Sequence, residues 1–472
     1  MVLINDFLKR LKEEEISYVH WKSNTNIELA LSGVDDLDIL VAPNDQKKLE
    51  KVFKELSIIR AYSKKDKWQD GITHFIGFDI SSQKLVHIHL HYKLSLGYDY
   101  DKCFTLPIVD FYLKNSTNYK GKVFLPTYEN EYCILIIRLI LKNALTPYLL
   151  NLPHRQYALF KNAKSKGVVQ GSGYAEFIDL KEKIDRDKLE KTLKESFYFL
   201  SKDVFEYCET VLKQNNNVIS FFKAGKRLKK ELVDYREYGE FTSFRKAFVR
   251  LYTIRLYALL KKLRIYNKII GKKPEHGGRI IAFVGGDGAG KTTTISNLKK
   301  TLKKQFALKS IHVGKPGMTL KGFLLKVISK VLSVFRIKHY SKALFLLSIA
   351  YNRRSTFKKA CKLRNRGFIV LQDRIPLEGI TAMDCPRIHT LADGKYKRLS
   401  KLERSLYEPI KGVDMLFVMK LNPEIALQRR PDDDPDELRI RSGQIWNNDW
   451  IAPFAYEINT GENNPDEVQN IL

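Results

Sequence analysis

One stretch constrains this chain more than any other. Arg279-Ile280-Ile281-Ala282-Phe283-Val284 is apolar, β-branched and aromatic, and it runs directly into Gly285-Gly286-Asp287-Gly288-Ala289-Gly290-Lys291-Thr292. A helical pattern, Thr293 to Leu302, follows at once. Strand, glycine-rich loop and helix in this order are the context that a phosphate-binding loop requires. The glycines let successive backbone N–H groups converge on phosphate oxygens, and the helix N-terminus adds its positive dipole end. Lys291 is placed to neutralise phosphate charge and the Thr292 hydroxyl to ligate Mg²⁺, with Gly285 to Thr293 forming the cradle. The run also demands a parallel sheet covered by helices, so an α/β domain is expected from about residue 278 to 472.

A chain of 472 residues exceeds one ordinary core, and two or three domains are expected. Residues 1–145 mix short strand runs with helical patterns and read as an α+β domain. Residues 146–272 turn mostly helical and read as a connector. Within it, Asp185 to Tyr207 is expected as one helical stretch, with Leu189, Leu193, Phe197, Leu200 and Phe205 on its apolar side. Gly271 to Gly278 carries glycine, proline and charge, as a linker would.

The net charge of +29 is unevenly spread. Twenty Lys/Arg and no acid lie between Asp287 and Asp373, and ten more lie between Glu240 and Glu275. Such fields attract polyanions: nucleotides, nucleic acid or anionic lipid. Phe244 to Ile270 and Leu320 to Leu346 interleave these charges with apolar residues as basic amphipathic helices. Packing by the apolar face, with the basic residues in water or toward phosphate, is the favoured reading, and peripheral contact with an anionic membrane is the alternative. No nucleic-acid-reading module is recognisable, so charge alone supports such a partner. Met1 to Asp6 shows no secretory pattern, and the longest apolar run, Ala343 to Ala350, is too short to span a bilayer. The five cysteines form no CxxC pair, consistent with reduced thiols in the cytoplasm.

The glycine-rich loop resembles that of the thymidylate kinase family, and the likeness continues beyond it over about residues 278–472. Phe368 to Arg374 is a second apolar strand ending in Asp373-Arg374, where that family carries an Asp-Arg motif. Ala350-Tyr351-Asn352-Arg353-Arg354 resembles its helix bearing a phosphate-binding arginine, here Arg353. After the strand Asp414 to Leu421, the helix from Pro423 leads to a lid whose arginines would be Arg429, Arg430, Arg439 and Arg441. The acidic run Asp432-Asp433-Asp434 is expected to pair with them while the lid is open. The resemblance implies ATP and Mg²⁺ as cofactors. Lys291, Arg374 and a lid arginine would stabilise charge, and Thr292 and Asp373 would serve the metal. It implies dTMP as acceptor and allows a homodimer. Two departures leave the acceptor open: Gly314-Lys315-Pro316-Gly317 replaces Arg-Glu-Pro-Gly, and Ile375-Pro376-Leu377-Glu378-Gly379 lacks the thymine contacts. Other phosphate acceptors, among them a sugar or glycan intermediate of surface-polysaccharide assembly, are the alternative, as is a non-catalytic nucleotide-binding regulator docked at a membrane.

Trp21-Lys22-Ser23-Asn24 and Ser32 to Val41 resemble the entry of a nucleotidyltransferase-fold domain. Period-two alternation puts Asp36 and Asp38 on one side of a strand, as a Mg²⁺ pair requires. Leu85 to Tyr92 aligns His87, His89 and His91 on one face, with His89 where a third carboxylate is expected. Those histidines suit a transition metal, though polar side chains on an exposed face are favoured, and Asp79 is a substitute acid.

Overall fold

The computed structural model describes residues 1–63, 71–150, 167–263, 271–377, 380–381, 383–391, 395–410, 412–450 and 453–471. Residues 264–270 of the expected basic helix and Glu378-Gly379 lie outside them. The chain divides into two compact units, Met1–Lys268 and Ile269–Leu472.

In the first unit, β1 (Tyr18–His20), β2 (Leu37–Val41), β3 (Ile59–Tyr62), β4 (Ile72–Asp79) and β5 (Lys84–His91) form a mixed sheet in the order β1-β2-β5-β4-β3. Strand β2 is parallel to β5, and the other pairs are antiparallel. Alternation decides its two faces. Leu37, Ile39 and Val41 of β2 and Val86, Ile88 and Leu90 of β5 pack on α1 (Val2–Glu13) and α2 (Gln46–Glu55) through Phe7, Leu8, Leu11, Leu49, Val52 and Phe53. The intervening residues, Asp38, His87, His89 and His91, are thereby turned to the opposite face.

That other side rests on α3 (Tyr128–Asn143), whose Tyr132 to Ile137 are all buried. Its core takes in Leu40 and Trp21 together with residues of α4 (Ser172–Lys183), α5 (Arg186–Glu195), α6 (Lys202–Gln214) and α7 (Val218–Glu231). The boundary expected near residue 145 is therefore crossed by one continuous core. Asp185 to Tyr207 is not one helix. It breaks into α5 and α6 because Ser201 caps a new start, accepting from Val204 N. Leu189, Leu193, Phe197, Leu200 and Phe205 are nevertheless all buried. Helix α8 (Glu240–Lys262) ends this unit's described helices.

In the second unit five parallel strands, β10 (Arg279–Gly285), β11 (Leu308–His312), β12 (Ile369–Asp373), β13 (Met415–Lys420) and β14 (Ala455–Asn459), stand in the order β11-β12-β10-β13-β14; the hairpin strands Leu94–Tyr98, Asp101–Leu106, Ser116–Tyr119 and Val123–Pro126, β6 to β9, belong to the first unit. Because β10 lies between β12 and β13, connections leave it in opposite directions and open a crevice at the strands' carboxyl ends. Helix α9 (Lys291–Leu302) follows the glycine loop. The stretch Leu320 to Leu346 is two helices, α10 (Leu320–Val334) and α11 (Lys338–Asn365), broken where Arg336 takes φ +61°. On α11 the apolar residues Ala343, Leu347 and Ala350 are buried. On α10 the packing is partial: Leu325 rests against the core and Gly322 and Ser329 are buried, whereas Leu320, Leu324 and Val331 are exposed. Helices α12 (Lys397–Tyr407), α13 (Pro423–Arg429) and α14 (Pro435–Trp446) complete the surroundings of the crevice. Among the described residues no helix is long and apolar enough to cross a membrane, and all five cysteines are free.

Candidate functional site

The loop after β10 turns on Gly288 (φ +84°) and Gly290 (φ +78°), left-handed positions that side chains resist. Gly290 caps α9, so the helix begins at Lys291. The Lys291 ammonium curls back to donate to the carbonyls of Gly285 (2.9 Å) and Gly286 (2.7 Å). Burial, reinforced by the charge of Arg374, pushes its pKa down to about 8. Ala289 is buried, whereas Thr292 and Thr293 lie exposed on the first turn.

Parallel register sets Asp373 beside Phe283, at the mouth of the crevice. Asp373 Oδ2 lies 3.4 Å from His312 Nε2, and its buried Oδ1 has no hydrogen-bond partner among the described residues. Arg374 adopts φ +68°, an uncommon conformation for a bulky residue. Its guanidinium lies 3.1 Å from Asp287 Oδ1 and 3.5 Å from Asp384 Oδ2. A Cβ at Gly314 would stand 2.6 Å from Arg374 Cδ, so the glycine makes room for this side chain.

Arg353 differs from its expected setting. Its side chain is buried, donating to the Asp384 carboxylate, the Asp384 carbonyl (3.1 Å) and the Tyr407 hydroxyl (2.6 Å). It thus holds Asp384, which in turn meets Arg374, and its guanidinium is already engaged.

The four lid arginines divide. Arg429 donates to the carbonyls of Gly288 (3.3 Å) and Thr460 (2.9 Å). Arg441 reaches Asp287 Oδ2 at 3.4 Å. Arg430 lines a cavity of ≈ 290 Å³ with Asp287, Asp433, Glu437 and Arg441. Arg439 instead pairs with Glu424 (3.2 Å). Among the described residues the acidic run makes no ion pair with them here: Arg441 pairs with Asp287 and Glu437, while Asp434 caps α14 by accepting from Asp436 N and Glu437 N. A short helix needs its orphan N–H groups satisfied, and Asp434 is spent on that.

The chain of ions Arg353–Asp384–Arg374–Asp287–Arg441 therefore links a helix, a strand end, the glycine loop and the lid. A thymidylate kinase from Caldicellulosiruptor saccharolyticus is 31% identical over 155 residues, 32% of this chain and 69% of that protein. The chain belongs to the thymidylate kinase family. A protein of Escherichia coli described as the uncharacterized ATP-binding protein YghR is 27% identical over 198 residues, 38% of this chain and 79% of that one. The solved thymidylate kinase of Candida albicans aligns at 19% identity and TM-score 0.30, over 41% of this chain and 89% of that one. No family model matches the chain.

Within this thymidylate kinase family member, the first unit carries a second cluster, on the polar face of its sheet. Asp38 Oδ1 lies 2.9 Å from Lys22 Nζ, 3.3 Å from His89 Nδ1 and 3.2 Å from His91 Nε2. Burial alone would raise Asp38, yet Lys22, His89 and His91 hold it well below the usual carboxylate range. His91 is fully enclosed, and burial lowers it to about 3. Asp36 Oδ1 lies 2.6 Å from His87 Nδ1. The two carboxylates and three histidines expected on one face are thus together, but that face is not the exposed one favoured from the sequence, since Asp38, His87 and His91 are buried. Asp79 is elsewhere: it binds the β4–β5 turn, accepting from Ser81, Ser82 and Leu3 N. Two members went unread in the sequence. His74 of β4 pairs in register with His89, and Lys102 is driven by burial to about 7, with Lys22 contributing. Ile72-Thr73-His74-Phe75 carries no apolar–polar alternation, so no local pattern singled out His74.

Proposed function

We propose that the second unit transfers the γ-phosphoryl group of ATP to a nucleoside monophosphate, dTMP to dTDP as the family default. The observation that carries this reading is the convergence of Lys291, Arg374, Arg429 and Arg441 on one glycine loop beside Asp373. An acceptor phosphate oxygen attacks the γ-phosphorus and ADP departs. The moving charge is spread over oxygens, so positioning and positive charge do most of the work. Lys291 exchanges the loop carbonyls for phosphate oxygens. Arg374 and Arg441, both now held by Asp287, supply charge from the strand end and from the lid.

Thr292 and Asp373 fit Mg²⁺: the unpartnered Asp373 Oδ1 is an acceptor that the protein itself leaves unused. When bound, the ion neutralises charge on the β- and γ-phosphates. A monophosphate is already anionic, so no side-chain base is needed to activate it.

A transfer screen from radiolabelled ATP across dTMP, other monophosphates and sugars tests the reading. Label is expected on a monophosphate, with Lys291→Ala lowering transfer by at least about 100-fold. Undiminished transfer by that variant would sink the assignment. The alternative acceptor, a sugar or glycan intermediate, is the second reading. Label on a sugar and none on dTMP would select it.

A further inference from the structure

We propose that the first unit holds one divalent transition-metal ion of the zinc class, ligated by His74, His87 and His89. Strands β4 and β5 are antiparallel with His74 opposite His89, and alternation puts His87 on the same face. Side-chain geometry then draws the rings together. Their centroids are separated by 4.2 Å (His87–His89), 4.7 Å (His74–His89) and 5.3 Å (His74–His87). One nitrogen from each lies within 4.8 Å of the other two.

His87 Nε2 is 3.3 Å from His74 Nδ1. Two nitrogens bound at about 2.0–2.1 Å to one tetrahedral ion stand about 3.3–3.4 Å apart. The tautomer is also prepared. A carboxylate only accepts, so Asp36, 2.6 Å from His87 Nδ1, fixes the proton there and leaves the Nε2 lone pair toward His74. A carboxylate behind a ligating imidazole is the usual support of a metal-bound histidine.

Asp38 is met by Lys22, His89 and His91, and Asp36 by His87 and His89, so both carboxylates stand behind the imidazoles. Magnesium takes oxygen donors and an octahedral shell, whereas three imidazoles select zinc, copper, iron or nickel. His87 is buried while His74 and His89 are half-exposed, so an ion can enter from solvent. Three protein ligands leave a fourth position for water or a substrate oxygen.

The test uses the untagged full-length chain, stripped with chelator and titrated with Zn²⁺ against a chromophoric chelator, and separately with Co²⁺. One equivalent of zinc is expected, with an intense tetrahedral Co²⁺ absorption. H74Q and H87Q should each weaken zinc binding at least tenfold. D36N, which leaves all three ligands, should weaken it by about 10–100-fold, and H276Q in the other unit should not change it. Circular dichroism checks that each variant folds, and the wild-type Co²⁺ spectrum depends on no variant. An octahedral Co²⁺ spectrum, zinc affinity unchanged in both H74Q and H87Q, or displacement of zinc by equimolar Mg²⁺ would each overturn the proposal.

Discussion

At the scale of single residues, Asp384 is the hinge of the second site. It carries the buried Arg353 on one oxygen and Arg374 on the other. Burying a guanidinium is tolerable only while its partner remains, and removing one partner of a buried pair costs about 3–5 kcal/mol. Asp384→Ala is therefore expected to destabilise the second unit by about that amount, read by chemical denaturation. Arg353→Met removes the buried charge as well, so the double variant should cost less than the sum of the two singles. Additive losses would show that the ion pair does not couple these residues. The sequence pointed to Arg353 but away from this role. A local motif locates an arginine on its helix, whereas the partner 31 residues on is fixed only by tertiary folding. The same limit hid His74, whose neighbour in space is 15 residues distant along a hairpin.

At the scale of elements, what could be read from the chain was whatever a single element contains. The strand, glycine loop and helix from Arg279 to Leu302, the Asp373-Arg374 strand end and the alternation in β2 and β5 are all local patterns, and each formed as expected. Breaks were harder, because Asp185 to Tyr207 and Leu320 to Leu346 keep helical periodicity across a turn. Ser201 and the left-handed Arg336 interrupt them. The lid helix α14 offers a sharper case. Asp434 lies among arginines, yet it bonds two N–H groups of the first turn. A cap and an ion pair predict different substitutions, since asparagine caps as well as aspartate while alanine does not. Asp434→Asn should leave thermal stability nearly unchanged, and Asp434→Ala should lower it by about 1 kcal/mol. Equal losses in both variants would restore the ionic reading of the acidic run.

At the scale of the whole molecule, the two units carry buried groups that give stability opposite dependences on pH. In the first, burial raises Glu131 from its ordinary 4.5 to about 7, although Asn24 N donates to it. Between those values Glu131 is protonated in the folded unit and ionised in the unfolded chain, so its own contribution to stability falls as pH rises, while His91, lowered from 6.5 to about 3, acts in the opposite sense within the same unit. In the second, Lys291 drops from 10.5 to about 8. Between about 8 and 10.5 the unfolded chain binds more protons, so that unit gains stability as pH rises. Each contribution is bounded by about 3.5 kcal/mol in all, since one pKa unit corresponds to about 1.4 kcal/mol. Calorimetry across pH 5 to 10 should therefore show the wild-type advantage over Glu131→Gln shrinking as pH rises toward 7, and the wild-type deficit against Lys291→Met shrinking as pH rises above about 8. A bound nucleotide reverses the second effect, because phosphate charge returns the proton to Lys291. ATP should therefore abolish the alkaline gain while leaving the Glu131 slope in place. Loss of both slopes on adding ATP would mean that the units do not unfold independently.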